Sequence, residues 1–350
     1  MKRRRAAVLI LGAGPAGCAA AITARLAGLS VVLLEAHAAP RAQPGETLHP
    51  GVEPIFRQLG VWEALVAERF PRQRGLWREG ENGARVFEPY GHDTHGPWLG
   101  FQADRVRLGG LLRARAVALG GKIIRVARVD AVLRGESAVA GVRAEGCDYH
   151  ASAVLDATGR HAWLAEKLGL LAERLEPAQR VRFGWKNEER PELDGQPLFR
   201  QRADGWDWLA PLGEGRCAWA TLRRTAAGGG TDYAWRIFRA CAGPGYFLLG
   251  DAACLMDPSA ANGVLRALMS GICAAHFIAA AQPPAAADAY RRWIAELFDR
   301  SYAEWKTASG GRGLERLLGG AISKSSTVPQ APRGIGDLEI AAPRSGVPVR

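Results

Sequence analysis

The apolar run Ala6–Leu11 leads straight into a glycine cluster, and at that length with no polar face it predicts a buried strand. Pro15–Ala27 follows a helical pattern with small residues where the helix must pack closely, and Ser30–Leu34 forms a second strand closing on Glu35. The chain thus opens as a complete β-α-β unit. A loop holding Pro40, Pro44 and Gly45 leads to a helical pattern over Val52–Leu59, and Phe70–Leu99, rich in Gly, Pro and aromatics, reads as loop and short strands. Helix resumes from Arg105 to Leu119 and stops at Gly120-Gly121. Lys122–Val126, Asp130–Arg134 and Ala138–Glu145 alternate like a small antiparallel meander, followed by a strand at Ala153–Asp156. Val181–Arg224 carries strand-like segments with Trp185, Trp206, Trp208 and Trp219, which predict an antiparallel sheet with its aromatics on one face. After a strand at Tyr246–Leu249, the apolar stretch Ala260–Ala281 repeats Val264, Leu268 and Ile272 at i+4 spacing and is interrupted by Arg266, Gly271 and His276. It predicts a buried helix rather than a membrane span. A helical region covers about Ala285–Leu318, and Gly319–Arg350 has the composition of a disordered tail.

These elements predict an α/β fold. A discontinuous nucleotide unit takes 1–69, 100–162 and 243–282, an apparently shortened substrate domain takes 70–99 and 163–242, a C-terminal helical region takes 283–318, and a tail takes 319–350. With 350 residues, 48% hydrophobic and 23% charged, the chain can bury a full core. The net charge of +11 is spread over helical stretches such as Arg105–Arg115 and Arg291–Arg300. That describes a solvated arginine-rich surface rather than a nucleic-acid site, and leaves open an acidic protein partner. The basic start Lys2–Arg5 resembles the head of a signal peptide, but the apolar residues behind it run into the glycine cluster and read as the first strand, so a cytoplasmic location is expected. Six cysteines show neither C-x-x-C pairing nor zinc spacing, so they read as reduced core thiols, with Cys254 the one placed for a redox role.

Candidate chemistry begins at Gly12-Ala13-Gly14-Pro15-Ala16-Gly17. In a G-x-G-x-x-G turn the first glycine permits the tight turn, the second admits a pyrophosphate against the backbone, and the third lets helix and strand pack closely. The helix N-terminus offers free N–H groups and the positive end of its dipole to an anion. Glu35, eighteen residues after Gly17, is placed to accept hydrogen bonds from a ribose. This pattern does not separate NAD from FAD.

Two further segments do: Asp156-Ala157-Thr158-Gly159-Arg160 after a strand, and Gly250-Asp251-Ala252-Ala253 leading to Asp257-Pro258 and Gly263. With them the chain resembles the FAD enzymes of the p-hydroxybenzoate-hydroxylase-like group. The resemblance implies a Rossmann-like FAD-binding domain with an inserted antiparallel β-sheet substrate domain and C-terminal helices. It also implies that Asp251 bonds the ribityl and pyrophosphate region, and that the helix entered near Gly263 points its N-terminus at the flavin pyrimidine ring, where it would stabilise the negative charge of reduced flavin. Within the group the chain is similar to the branch of flavin-dependent halogenases and of maturases that oxygenate tryptophan in quinone-cofactor enzymes. Gly45-Glu46-Thr47-Leu48-His49-Pro50, Gln102-Ala103-Asp104-Arg105, Trp206-Asp207-Trp208-Leu209-Ala210-Pro211, and Asp257–Gly263 with Leu265–Gly271 carry this likeness. Thr47, Arg105, Pro258 and Asn262 thereby join the expected cofactor contacts, although Arg105 serves equally as a surface residue opening a helix.

The implied activity is that of a monooxygenase. FAD, reduced by NADH, NADPH or a partner flavin reductase, takes up O2 as a flavin hydroperoxide that an electron-rich aromatic ring attacks, possible substrates including a small molecule or a tryptophan in a peptide or protein. Glu46 and His49 are candidates to assist proton transfer, a histidine titrating near neutral pH, while His49 before Pro50 serves equally as a turn residue. Trp206 and Trp208 are candidate substrate contacts or sheet packing. The halogenases need a lysine after the Gly-Glu-Thr-Leu-like motif, and Phe70–Leu99 contains none, so oxygenation ranks above halogenation. A geranylgeranyl-reductase-like enzyme and a flavin-binding protein without turnover remain as rivals.

Overall fold

The computed structural model describes residues 2–41, 43, 47–176, 178–225, 229–260, 262–280 and 283–307. Its helices are α1 (Pro15–Leu26), α2 (Val52–Gln58), α3 (Trp62–Ala67), α4 (Arg105–Ala118), α5 (Trp163–Leu168), α6 (Gly263–Ala280) and α7 (Pro283–Thr307).

The first strand runs from Lys2 to Leu11, four residues earlier than the apolar pattern showed. Lys2–Arg5 keep their side chains in water while their backbone pairs in parallel with Cys147–His150. Their charge hid a strand that pairing imposes. Five parallel strands stand in the order Lys122–Arg125, Val31–Glu35, Lys2–Leu11, Cys147–Asp156 and Tyr246–Leu248. Val8–Leu11 are at most 1% exposed, as expected of a parallel sheet covered on both faces.

The meander differs from expectation. Lys122–Arg125 joins the parallel sheet beside Val31–Glu35 after a crossover through α4, and the antiparallel strands are Val129–Arg134, Val139–Ala144 and the first half of Cys147–Asp156. Alternating side chains reveal a strand but not its direction, whereas a helix between two strands of one sheet makes them parallel. Cys147–Asp156 is a single strand of ten residues. Its free edge is shared, Val139–Ala144 taking the first half and Tyr246–Leu248 the last.

α1 and α6 pack on each other through small residues. A side chain at Gly271 would meet the Ala16 carbonyl at 2.2 Å, and Cys18–Ala21 are wholly buried. α6 is long and apolar enough to cross a membrane, and it stands against α1 in this core.

A second sheet of seven strands has the order Thr231–Asp232, Arg180–Asn187, Arg216–Arg223, Gly205–Gly213, Leu198–Arg202, Gly75–Glu79, Arg85–Pro89. Residues 75–89 and 180–232 thus supply the strands of one sheet. Register places Trp206, Trp208, Phe183 and Trp185 on one face, opposite Leu222, Ala220 and Ala218 of the neighbouring strand. Trp219 pairs with Gly184 and Leu209 and points to the other face, so the aromatics do not all share one side. Residues flanking the sheet, Leu164 and Ala165 of α5 and Trp235, Ile237 and Phe238, are buried in the nucleotide unit's core. α7 lies along that core, its Tyr290 hydroxyl donating to the Leu248 carbonyl at 2.8 Å. The expected tail lies outside the described residues.

Candidate active site

Four strand ends meet at one edge of the parallel sheet. Register aligns Leu11 with Leu34 on one side and with Asp156 on the other, and Asp156 with Leu248. The Gly12–Gly17 turn, Glu35, the Asp156–Arg160 turn and the Gly250-Asp251 turn therefore emerge side by side. Hydrogen bonds of 2.8 Å tie them, from Gly12 N to Leu34 O, Ala157 N to Leu11 O and Leu249 N to Asp156 O. This is the carboxyl edge of an open α/β sheet where strand order reverses, the position at which such sheets bind ligands.

Each glycine of the first turn meets a different constraint. Gly12 has φ +98°, and a side chain there would lie 2.6 Å from the Ala157 carbonyl. A side chain on Gly17 would meet the Gly12 carbonyl at 2.0 Å. Around Gly14 a side chain would meet nothing within 4 Å, so its surface faces open space. α1 begins directly behind, with Gly14 as N-cap, Pro15 in its first turn and no side chain capping its N–H groups.

Glu35 is buried and already engaged. Its Oε2 accepts from Ala13 N at 2.7 Å, its Oε1 from His37 N at 2.8 Å, and Arg113 of α4 lies 3.2 Å away. Arg113 Nε also donates to the Ala13 carbonyl at 3.1 Å, fastening α4 to the glycine turn. Sequence reasoning missed Arg113, whose only signal was an arginine within a helix already rich in them. A carboxylate retains acceptor sites beyond these bonds.

Asp156 is fully buried. It accepts from Thr158 N, Thr158 Oγ1 and Leu164 N, which shapes the turn that gives Gly159 its φ of +69°. At Gly250, φ is +55° and the N–H donates to Ser270 Oγ of α6 at 2.9 Å. Burial raises the Asp251 carboxyl above the usual carboxylate range, opposed by Arg266, Arg105, Arg236 and Arg160. Arg105, at the start of α4, thus stands in the electrostatic field of Asp251. Pro258 opens a short 3₁₀ turn, the Asn262 carbonyl accepts the Arg266 N–H at 2.9 Å, and Gly263, exposed, begins α6 with open space around its α-carbon. Cys254 is buried and its thiol is pushed up to about 12 by desolvation, which keeps it protonated and unreactive.

Glu46 lies outside the described residues. Thr47 is buried and donates to Gln102 Oε1 at 2.8 Å, within a network continuing through Gln73 to the Tyr90 hydroxyl. His49 Nδ1 accepts from Gly51 N at 3.0 Å, so the ring proton sits on Nε2, which is buried with no hydrogen-bond partner among the described residues. Desolvation pushes the imidazole down to about 4. His49 is therefore neutral at pH 7 and presents an N–H donor, not the near-neutral titrating group its residue type suggested.

A pH dependence follows from that shift. Between the native value of about 4 and the ordinary 6.5, the unfolded chain binds a proton that the native state refuses, so stability falls as pH drops through this window. The contribution is about 2–3 kcal/mol. Urea melts at pH 7 and 4.5 should show His49→Gln losing less stability on acidification than the wild type, and equal losses would contradict a histidine held neutral.

Of the two candidate substrate tryptophans, Trp206 is buried and donates Nε1 to Asp257 Oδ1 at 3.1 Å. Trp305 of α7 donates to Asp257 Oδ2 at 3.2 Å, and Ser259 N to Oδ1 at 2.8 Å. Asp257 thereby joins the second sheet, the Gly250–Gly263 segment and α7. Trp208 is half-buried against Phe199, ring centroids 6.3 Å apart.

Such strand-end turns around an uncapped helix N-terminus define a dinucleotide-binding protein of the α/β class. The profile of the FAD binding domain family matches residues 5–189, and the chain belongs to that family. A tryptophan 2-halogenase of Chondromyces crocatus is 28% identical over 320 residues, covering 77% of this chain and 60% of the halogenase. Menaquinone reductase of Mycobacterium tuberculosis is 28% identical over 335 residues, covering 84% and 80%. The flavin-dependent brominase Bmp2 shares the fold with a TM-score of 0.78 at 21% identity, over 91% of this chain and 94% of that one. The chain spans 60% of the length of the tryptophan halogenase and 53% and 44% of two further halogenases that it matches.

Proposed function

We propose that the protein is an FAD-dependent monooxygenase acting on an electron-rich aromatic group, carried by a small molecule or by a peptide or protein. The observation that carries this reading is the Trp206–Asp257 bond, which fastens the aromatic face of the second sheet to the segment running from Gly250-Asp251 into α6. In this reading the open surface of Gly14 and the N–H groups of α1 hold the diphosphate, Glu35 with Arg113 the ribose, and Asp251 a ribityl hydroxyl. The N-terminus of α6 faces the ring. Bound FAD supplies two-electron transfer between a donor and O2. The chain's own residues orient the ring, exclude water with the aromatic face, and offer the fixed His49 Nε2–H as a neutral hydrogen-bond donor. NADH, NADPH or a partner flavin reductase supplies the electrons, in a cytoplasmic setting. The lysine-free segment 70–99 favours oxygenation over halogenation.

Menaquinone reductase, matched over most of both chains, favours a second reading, reduction of an unsaturated substrate without O2. Spectra of the purified protein with added FAD, then O2 uptake with a reductant and a panel of indoles and phenols, test both. A monooxygenase consumes O2 only with substrate and reductant present, and a reductase turns over anaerobically. Flavin binding without either turnover leaves a binding protein, and no flavin binding rejects the proposal.

A further inference from the structure

A cleft of about 340 Å3 opens where the edge of the second sheet meets the nucleotide unit. Gly230, Thr231 and Asp232 of the sheet's edge strand form one wall. Arg160 follows the strand-end turn at Gly159, and Arg174 and Arg236 come from a pair of adjoining strands, Arg236 being paired in turn with Leu255. Three separate segments thus deliver three guanidiniums to one opening, with His161 beside Arg160.

A single carboxylate answers them in the lining. Asp232 is bonded to Arg174 at 2.7 Å and also accepts from Ala234 N at 3.0 Å. Arg236 is half-buried, donates through one Nη to the Arg160 carbonyl, and has an Nε that is buried with no partner among the described residues. Burial lowers its affinity for its proton, and the neighbouring Arg174 and Arg160 add repulsion, against Asp251 and Asp232. Guanidiniums gathered this way, one with a buried unpartnered donor, favour an anion in the space between them. Planar forks of donors meeting several oxygens are the chemistry that recognises phosphate.

We propose that this cleft binds the phosphate or diphosphate group of a ligand other than FAD, namely a phosphorylated organic substrate. The flavin's own diphosphate belongs at Gly14 and α1, whereas this cleft is walled on one side by the substrate sheet. Leu255 gives it an apolar patch within the segment that runs from Asp251 to α6, so a substrate anchored here by its phosphate reaches toward the flavin edge along that segment. The last step rests on the proposed function, and the anion site does not.

Calorimetric titration of the FAD-saturated full-length protein with inorganic pyrophosphate tests it. One site is expected, with Arg174→Ala and Arg160→Ala each weakening it at least about tenfold. Arg236→Lys, which keeps the charge but removes the fork, weakens it as well. Arg128→Ala, at a side chain 83% exposed and outside the cleft, leaves it unchanged. The visible spectrum and FAD content of Arg174→Ala and Arg128→Ala match the wild type. Absence of pyrophosphate binding, binding indifferent to the cleft variants, or binding that FAD abolishes would each overturn the proposal, the last by assigning the anion to the flavin's own site. If the protein binds no FAD, the same variants titrated on the protein as purified still read the cleft, so the two proposals fail separately.

Discussion

Gly14→Ala is expected to fold as stably as the wild type and to lose FAD, whereas Gly17→Ala loses both fold stability and flavin. At Gly14 the backbone has φ −77° and ψ −175°, a conformation alanine adopts without strain, and the added methyl would meet no protein atom within 4 Å. The melting temperature without flavin should therefore hold or rise slightly, because alanine restricts the unfolded chain. The methyl would instead occupy the space over the α1 N-terminus where a diphosphate must approach, so FAD affinity should fall at least about tenfold, or 1.4 kcal/mol. At Gly17 the methyl would sit 2.0 Å from the Gly12 carbonyl, in the turn itself, and 3.2 Å from the Ala157 side chain of the neighbouring strand-end turn. Relief requires the backbone to move, at a cost of about 3 kcal/mol, and a melting temperature lower by about 4–5 °C. Scanning fluorimetry without FAD and fluorescence titration with it separate the two effects. Wild-type FAD affinity in Gly14→Ala would show that the diphosphate does not lie at this turn.

Asp257→Ala should be among the most destabilising single changes in the chain. Its carboxylate is 2% exposed and accepts from two indole N–H groups and one backbone N–H. Removing it strands these donors in a buried site, at about 1–3 kcal/mol each, so a total near 3–5 kcal/mol is expected once water fills part of the gap. Asp257→Asn keeps an acceptor oxygen and should lose roughly half as much. The consequence extends beyond stability, since the same carboxylate couples the aromatic face of the second sheet to the segment carrying Asp251. Limited proteolysis should cut the Asp257→Ala sheet region faster than the wild type at matched temperature. Equal melting temperatures for Asp257→Ala and the wild type would show that the three-way junction adds nothing to the fold.

Trp206 illustrates how far sequence reasoning reaches. Its spacing to Trp208 marked an aromatic strand correctly, and the shared face followed from the two-residue period of a strand. Its partner, Asp257, lies 51 residues away, and a pair that distant shares no local pattern. Arg113 is similar, since only the docking of α4 on the glycine turn shows which of its arginines turns inward.

The local elements were legible because each rests on a constraint within a few residues. Gly12 is fixed by its φ of +98° and Gly17 by close approach to the Gly12 carbonyl inside one turn, Glu35 by closing the next strand, and the buried strands by unbroken apolar runs. What joins elements was settled only in three dimensions. The parallel pairing of Lys122–Arg125, the strand character of Lys2–Arg5, the opposite face of Trp219, the neutral His49 and the arginine-lined cleft all depend on neighbours remote in sequence. Hydrogen-bond direction, burial and desolvation are properties of the packed neighbourhood, and a sequence carries them only through the fold that assembles it.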